Sequence, residues 1–210
     1  MGANDELRET AFGADRSLTP VDRFGVWLSG RSIRREVPSF GGKRIGDFGC
    51  GHEASFARTV IPKCESAVLV DVSLADDLKS LPHVRAIEGS LPQSLHDLLS
   101  ASLDVVMCIS ALEHLAEPET MVAECRRLLS PGGIFLVNVP SWIGKRFLEL
   151  SAFRLGLSPP EEMDDHKMYY DPKDLWPLLR RNGFLPRNIR CYRHKMGLNT
   201  FAACRVEGAA

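Results

Sequence analysis

RIGDFGCGHEASFA, residues 44–57, is a short apolar run that ends in two glycines one residue apart. Ile45 and Phe48 give RIGDF the character of a buried strand, and Asp47, Gly49, Cys50 and Gly51 collect at its carboxyl end. Glycine lacks a Cβ, so Gly49 and Gly51 let the chain turn sharply and bring its backbone close to a ligand. The spacing predicts a helix near Ala54 to Val60, whose first N–H groups would face the same place.

Outward from this stretch, apolar runs alternate with helical segments, as in a parallel sheet covered on both faces. Strands are expected at RIGDF, AVLVD, VRAIE, LDVVMCI and IFLVNVP, with helices near Ala54–Val60, Leu74–Leu81, Pro92–Ser100 and Pro118–Leu129. The last has Pro118 at its first position and Met121, Val122, Cys125, Leu128 and Leu129 on one stripe before the breaker SPGG. A further helix is expected from Asp171 as N-cap to Asn182-Gly183, with Pro177 removing one internal bond and inviting a kink. NIRCYRH and TFAACRV, either side of Lys195–Asn199, read as a hairpin that makes one edge antiparallel. The expected fold class is α/β: a Rossmann-like, doubly wound, mostly parallel seven-stranded sheet with an antiparallel C-terminal hairpin strand and helices on both faces.

Residues 1–18 lack periodicity and are expected to fray, 19–206 to form one domain, and 207–210 to be a tail. Within the domain, 19–40 reads as a helical cap with Phe24 and Trp27 in the core; Gly30 argues against one unbroken helix, and Arg31, Arg34 and Arg35 suit a solvated face. Residues 141–170 form too long a connection for a plain loop and read as a lid insertion, with Lys145, Arg146 and Arg154 beside apolar residues.

A chain of 210 residues with 44% hydrophobic content supports one sizeable core. Lys and Arg number 26 against 27 Asp and Glu, so the basic field of a nucleic-acid-binding protein is missing, and no nucleic-acid partner is expected. The six cysteines include no CxxC pair, which suits thiols in a reducing, cytoplasmic setting and supports neither a disulfide framework nor a metal site. No run approaches the roughly 18 apolar residues of a membrane span, so no stable membrane insertion is expected. The sequence carries no signal for a homodimer.

Gly49, Gly51 and Ala54 also satisfy the looser GxGxxA dinucleotide pattern, so an NAD(P)-dependent oxidoreductase has to be weighed. Asp47 weighs against it, because a carboxylate two residues before the first glycine repels a pyrophosphate and attracts an ammonium-bearing ligand such as the methionine part of S-adenosylmethionine. Asp71 ends the second strand, 17 residues beyond Ala54, where a carboxylate grips ribose hydroxyls in either reading.

DFGCG, LVDVS, LDVVMCISALEHL, RRLLSPGGIFLVNVPS and HKMYYDPKDLWPLLRRNGF together resemble successive motifs of the class I S-adenosylmethionine-dependent methyltransferases, in particular the small-molecule group that includes quinone-biosynthesis enzymes. The resemblance spans about residues 43 to 206. It implies S-adenosyl-L-methionine as methyl donor, S-adenosyl-L-homocysteine as product and a small-molecule acceptor such as a sugar, a quinone-like or a lipid-like compound. By position it implies Asp47, Gly49, Cys50 and Gly51 along the methionine part, Asp71 on the ribose and Val72 on the adenine. Gly89-Ser90-Leu91 stands where the family often has an aspartate facing the adenine amino group, leaving Ser90 and Leu91 as the contacts there. Ile109 and Ser110 would face the sulfonium and the acceptor. Glu53 replaces the family's third glycine.

Displacement at a sulfonium needs alignment before it needs a base, and positioning alone supplies effective molarities of about 10⁵ to 10⁸ M. A hydroxyl acceptor would add a use for a base worth roughly 10² to 10⁴-fold. His166 and Tyr169, in the segment resembling the acceptor-side lid, are the candidate catalytic residues, while His114 in LEHL reads as orienting backbone. A non-catalytic S-adenosylmethionine-binding module stays open beside the enzyme.

Overall fold

A computed structural model of the protein describes residues 11–14, 19–145 and 167–208. Seven strands form one sheet: β1 (Arg44–Phe48), β2 (Ser66–Asp71), β3 (Val84–Glu88), β4 (Leu103–Ile109), β5 (Leu129–Pro140), β6 (Ile189–His194) and β7 (Asn199–Arg205). Their order is β3-β2-β1-β4-β5-β7-β6. β1 to β5 pair in parallel, and β7 runs antiparallel to both β5 and β6. The α/β sheet expected from the alternation of apolar runs is therefore present, with the antiparallel strand inserted between β5 and β6. SPGG is no break between elements, because β5 begins at Leu129 and carries Ser130 to Gly133 within it, with an irregular register against β4 between Leu103 and Val105.

Alternation along the strands divides the core in two. Phe48, Val70, Val106, Cys108, Val137 and Val139 face α3 (Pro118–Leu128) and α4 (Pro172–Arg181). Ile45, Val105, Met107 and Leu136 face α1 (Pro20–Glu36), which contributes Ile33. Helix α1 is unbroken across Gly30, because Gly30 sits against the Phe56 ring, where an added Cβ would come within 3.1 Å. Its buried stripe runs through Ser29, Ser32, Ile33 and Glu36. Phe24 and Trp27 lie on the other side, 54% and 55% exposed and stacked on each other at 5.7 Å, so the expectation that they are core is corrected. Arg34 and Arg35 are exposed yet engaged, Arg34 over the Phe56 ring and Arg35 over the Tyr192 ring.

Three expected helices are shorter than their apolar spacing suggests. Ala54–Val60 is replaced by 3₁₀ turns at Ala57–Thr59 and Ile61–Lys63, Leu74–Leu81 shrinks to α2 (Asp76–Lys79), and Pro92–Ser100 keeps one 3₁₀ turn at Gln93–Leu95. The physical cause after β1 is local. Ala54 has a positive φ of 43°, Thr59 turns its hydroxyl back to the Phe56 carbonyl, and Pro62 has no N–H to donate. Helix α4 does continue through Pro177.

Part of the segment expected to fray is ordered: Ala11 is buried, and the Phe12 carbonyl accepts a hydrogen bond from His52 N at 2.9 Å. Near the other terminus the Glu207 carbonyl accepts from Gly132 N. Among the described residues, no helix is long and apolar enough to cross a membrane. Most of the 141–170 connection, with Arg146 and Arg154, lies outside the described residues.

Candidate active site

The carboxyl ends of β1 to β4 converge on a cavity of about 120 Å³. Gly49, Asp71, Val72, Ser90 and Leu91 line it. Asp47 in β1, Ile109 in β4, and Cys50, Gly51 and Ser110 in the turns after those strands do not line it. His114 and Lys167 line its other side, with Leu115 to Glu117. His114 lines the cavity, and beside it the Glu113 carbonyl accepts from Lys167 N and Met168 N as the chain returns toward α4.

The glycine turn is held from two directions, by the turn after β4 and by the end of β2. Gly49 and Gly51 both have φ of +75°, a region closed to most side chains. A Cβ at Gly49 would stand 2.3 Å from the Ala111 Cβ, so the missing side chain is what lets the turn after β1 seat against the turn after β4. Gly51 N donates to Asp71 Oδ2 at 2.7 Å and Val72 N to Asp71 Oδ1 at 2.8 Å. Asp71 therefore ties the β1 and β2 loops together. The N–H groups offered here come from the turn itself, since the expected helix dipole is absent.

Electrostatics set the character of this turn. Asp47 is 5% exposed and Asp71 8% exposed. Burial first, and the neighbouring Asp71 charge second, push the Asp47 carboxyl up to about 7. Burial likewise pushes the Cys50 thiol well above its ordinary range, so it stays protonated and unreactive.

At the end of β4, Ser110 adopts a φ of +55°, rare for a residue with a side chain. Ser110 N donates to the Asn138 carbonyl at 2.8 Å, and Asn138 Nδ2 donates to Ser110 Oγ at 3.3 Å. Asn138 is fully buried and its Oδ1 has no partner among the described residues. Sequence reasoning passed over Asn138, although a lone amide inside IFLVNVP was the available signal. For Phe12 and Lys167 no local pattern marks the role, which arises from tertiary approach alone. Of the two candidate catalytic residues, His166 lies outside the described residues, and Tyr169 is buried away from the cavity lining, with Trp142 at 5.6 Å and Lys145 Nζ 5.5 Å from its ring. The described residues contain no cluster of three or more His, Cys, Asp or Glu placed to hold a metal.

Residues 46–137 match the methyltransferase domain family. The chain is 33% identical over 128 residues to a ubiquinone biosynthesis O-methyltransferase of Idiomarina loihiensis, covering 53% of this chain and 50% of that protein. It is 27% identical over 182 residues to the namesake enzyme of Xylella fastidiosa, covering 78% and 69%. The chain thus spans half the length of the first of these relatives. The fold also superposes on the Burkholderia thailandensis 1,6-didemethyltoxoflavin-N1-methyltransferase, solved with its substrate and S-adenosylhomocysteine, at a TM-score of 0.61 and 16% identity over 89% of this chain and 83% of that one. Strand order and sequence match agree: the sheet is Rossmann-like, and residues 46–137 are similar to the methyltransferase domain class. Within that class the chain resembles the quinone-biosynthesis O-methyltransferases.

Proposed function

We propose that the chain methylates a hydroxyl of a small, quinone-like acceptor, with S-adenosyl-L-methionine as donor and S-adenosyl-L-homocysteine as product. The observation that carries the reading is the pair of buried carboxylates, Asp47 and Asp71, at a glycine turn. One of them is already held near neutral pH by the other and by burial, so a diphosphate in the same place would add like charge, whereas a ligand bearing ammonium and sulfonium cations relieves it.

The donor supplies an activated methyl group with a neutral thioether as leaving group, so the protein's contribution is binding and alignment. In this reading Asp47 and the Gly49–Cys50–Gly51 backbone take the methionine part, Asp71 the ribose hydroxyls, and Val72, Ser90 and Leu91 the adenine. Ile109 and Ser110 present the acceptor side, with Ser110 fixed by Asn138. Candidate base roles for His166 and Tyr169 remain proposals resting on the resemblance. A cytoplasmic setting is supported by six cysteines that are all free.

Equilibrium binding of S-adenosylmethionine, S-adenosylhomocysteine and NAD tests the donor. Micromolar binding of the first two with none of the third is expected, and NAD binding in their place overturns the reading. Turnover of methyl-labelled donor with catechols, sugars and phenolic lipids then tests the acceptor; no transfer to any of them would leave a donor-binding module. Asp71→Ala should weaken donor binding by about 1.5 to 3 kcal/mol, the scale of hydrogen bonds to a charged group. Unchanged affinity in a folded variant removes Asp71 from the site.

A further inference from the structure

The carboxyl edge of the sheet continues past β4 onto strands that the donor loops do not use. Ile109 pairs with Asn138 on β5, and Pro140, two residues on, pairs with Asn199, where β7 begins. The β6–β7 turn therefore stands at the same edge as Ser110, on the side of β4 opposite the donor cavity. It is pinned there, since Ser141 N donates to the Leu198 carbonyl at 2.9 Å and Ser141 Oγ to the Gly197 carbonyl at 2.6 Å. Lys195 and Met196 both have positive φ, 49° and 57°, so a left-handed backbone aims their side chains.

Lys195 is half-buried by its accessible surface, and its ammonium reaches across to α1, 3.7 Å from where a Cβ on Gly25 would be. From the turn after β4, Glu113 acts on it electrostatically. Lys195 thus lies between α1 and the turn that follows Ser110. The groups around it are polar and incompletely paired. His194 contacts the Phe201 ring at 5.7 Å and Ser32 Oγ through Nδ1 at 3.4 Å, while its buried Nε2 has no partner among the described residues. Asn138, whose Cα partner in the sheet is that same Phe201, offers its open Oδ1.

We propose that Lys195 contacts the methyl acceptor and holds an acidic hydroxyl of it as the oxyanion, with the open atoms of His194 and Asn138 bordering the same subsite. The assignment rests on the methyltransferase reading and deepens it to one side chain and one kind of hydroxyl. In chemical terms the acceptor O–H bond breaks, its electron pair stays on oxygen, and the proton passes to the neutral amine at Lys195 Nζ, which becomes the ammonium paired with that oxygen. Burial supports this by pushing Lys195 down to about 8, with Glu113 opposing. The other titratable neighbour, His194, is pushed down to about 4 by burial and by the Lys195 and Arg35 charges, so it is neutral where the lysine titrates. A phenol near 10 lies about 10²-fold uphill from such an amine, whereas an alkyl hydroxyl near the 15.7 of water lies almost 10⁸-fold uphill. Lys195 therefore selects phenol- or enol-type hydroxyls over those of sugars.

The test uses the full chain saturated with S-adenosylhomocysteine and 4-nitrocatechol, whose ionised form is coloured, titrated between pH 5 and 10. Bound probe is expected to ionise at least one pH unit below free probe. Lys195→Met should lose that shift and bind the ionised probe at least tenfold more weakly at pH 8, while Lys195→Arg keeps the binding. Lys195→Gln provides the same comparison if the methionine variant does not fold. Equal binding and ionisation in wild type and Lys195→Met, equal loss in Lys195→Arg and Lys195→Met, or no binding of the ionised probe to wild type each overturn the proposal. Absence of S-adenosylhomocysteine binding by the wild type sinks the donor reading instead, and the same titration without it still reads the Lys195 subsite.

Discussion

Asp47 is where a single side chain carries the most information. A carboxyl whose pKa is higher in the folded chain than in the unfolded one binds more protons when folded, so its contribution to stability falls as pH climbs from about 4 to about 7. A cationic donor beside it favours the ionised form, and binding should then release the proton. Calorimetry in buffers of different ionisation enthalpy should find close to one proton released per S-adenosylmethionine at pH 6 and almost none at pH 8.5, with affinity rising between them. Asp47→Asn should abolish the release; a release that persists in it would place the titrating group elsewhere. Gly49 is the steric counterpart. Gly49→Ala forces a Cβ onto Ala111 at a φ of +75°, and a loss of about 1 to 3 kcal/mol of stability is expected in urea melts. The meeting of a carboxylate with a glycine turn at a strand end was legible in the sequence, because DFGCG writes it in consecutive residues. Asn138 and Lys195 were not, since what distinguishes them is which strand each one meets.

At the scale of elements, strands were easier to read than helices. All seven lie where apolar runs place them; for the inner parallel strands β1 and β4 the reason is that a buried parallel strand has no solvated face to interrupt its pattern. Helices after β1, β2 and β3 were overread: Ala54, Ala57 and Val60, Leu74 and Leu78, and Leu95 and Leu98 are buried as the spacing suggests, but the chain carries them on backbone turns that spacing does not report. The opposite edge of the sheet is closed by a clip no motif announced. Arg44 donates to Asp104 through its backbone N at 2.9 Å, Nε at 3.2 Å and Nη2 at 2.7 Å, and Ser130 Oγ adds a fourth donor at 2.8 Å, joining β1, β4 and β5. Arg44 foremost holds the Asp104 carboxyl down at about 2. A lowered carboxyl stabilises the fold above its unfolded value near 4 and ceases to do so as pH falls through about 2. Asp104→Asn should therefore lose about 1 to 2 kcal/mol in urea melts at pH 7, and the gap from wild type should close near pH 2. A gap independent of pH would mean that shape, and not charge, is what Asp104 contributes.

Across the whole molecule, the site is assembled from segments far apart in sequence, and its two halves are built differently. The donor half rests on loops braced by one carboxylate, Asp71, and covered by a segment from the beginning of the chain. Phe12 lies over Gly51, so closely that a Cβ there would be 3.1 Å from the Phe12 carbonyl, and the same carbonyl fixes His52. The acceptor half rests on the pinned β6–β7 turn and on α1, which turns exposed Phe24 and Trp27 outward. If residues 11–14 belong to the donor half and not to the fold at large, removing residues 1–18 should separate the two effects. One buried hydrogen bond and a small apolar contact amount to about 1 kcal/mol, or a fall of about 2 to 4 °C in Tm for a domain of this size. S-adenosylhomocysteine affinity should fall about tenfold with it, while 4-nitrocatechol binding at the Lys195 side stays within twofold. Equal losses at both halves would show that the segment supports the sheet edge as a unit; no loss at either would show that its seat on Gly51 is incidental to binding.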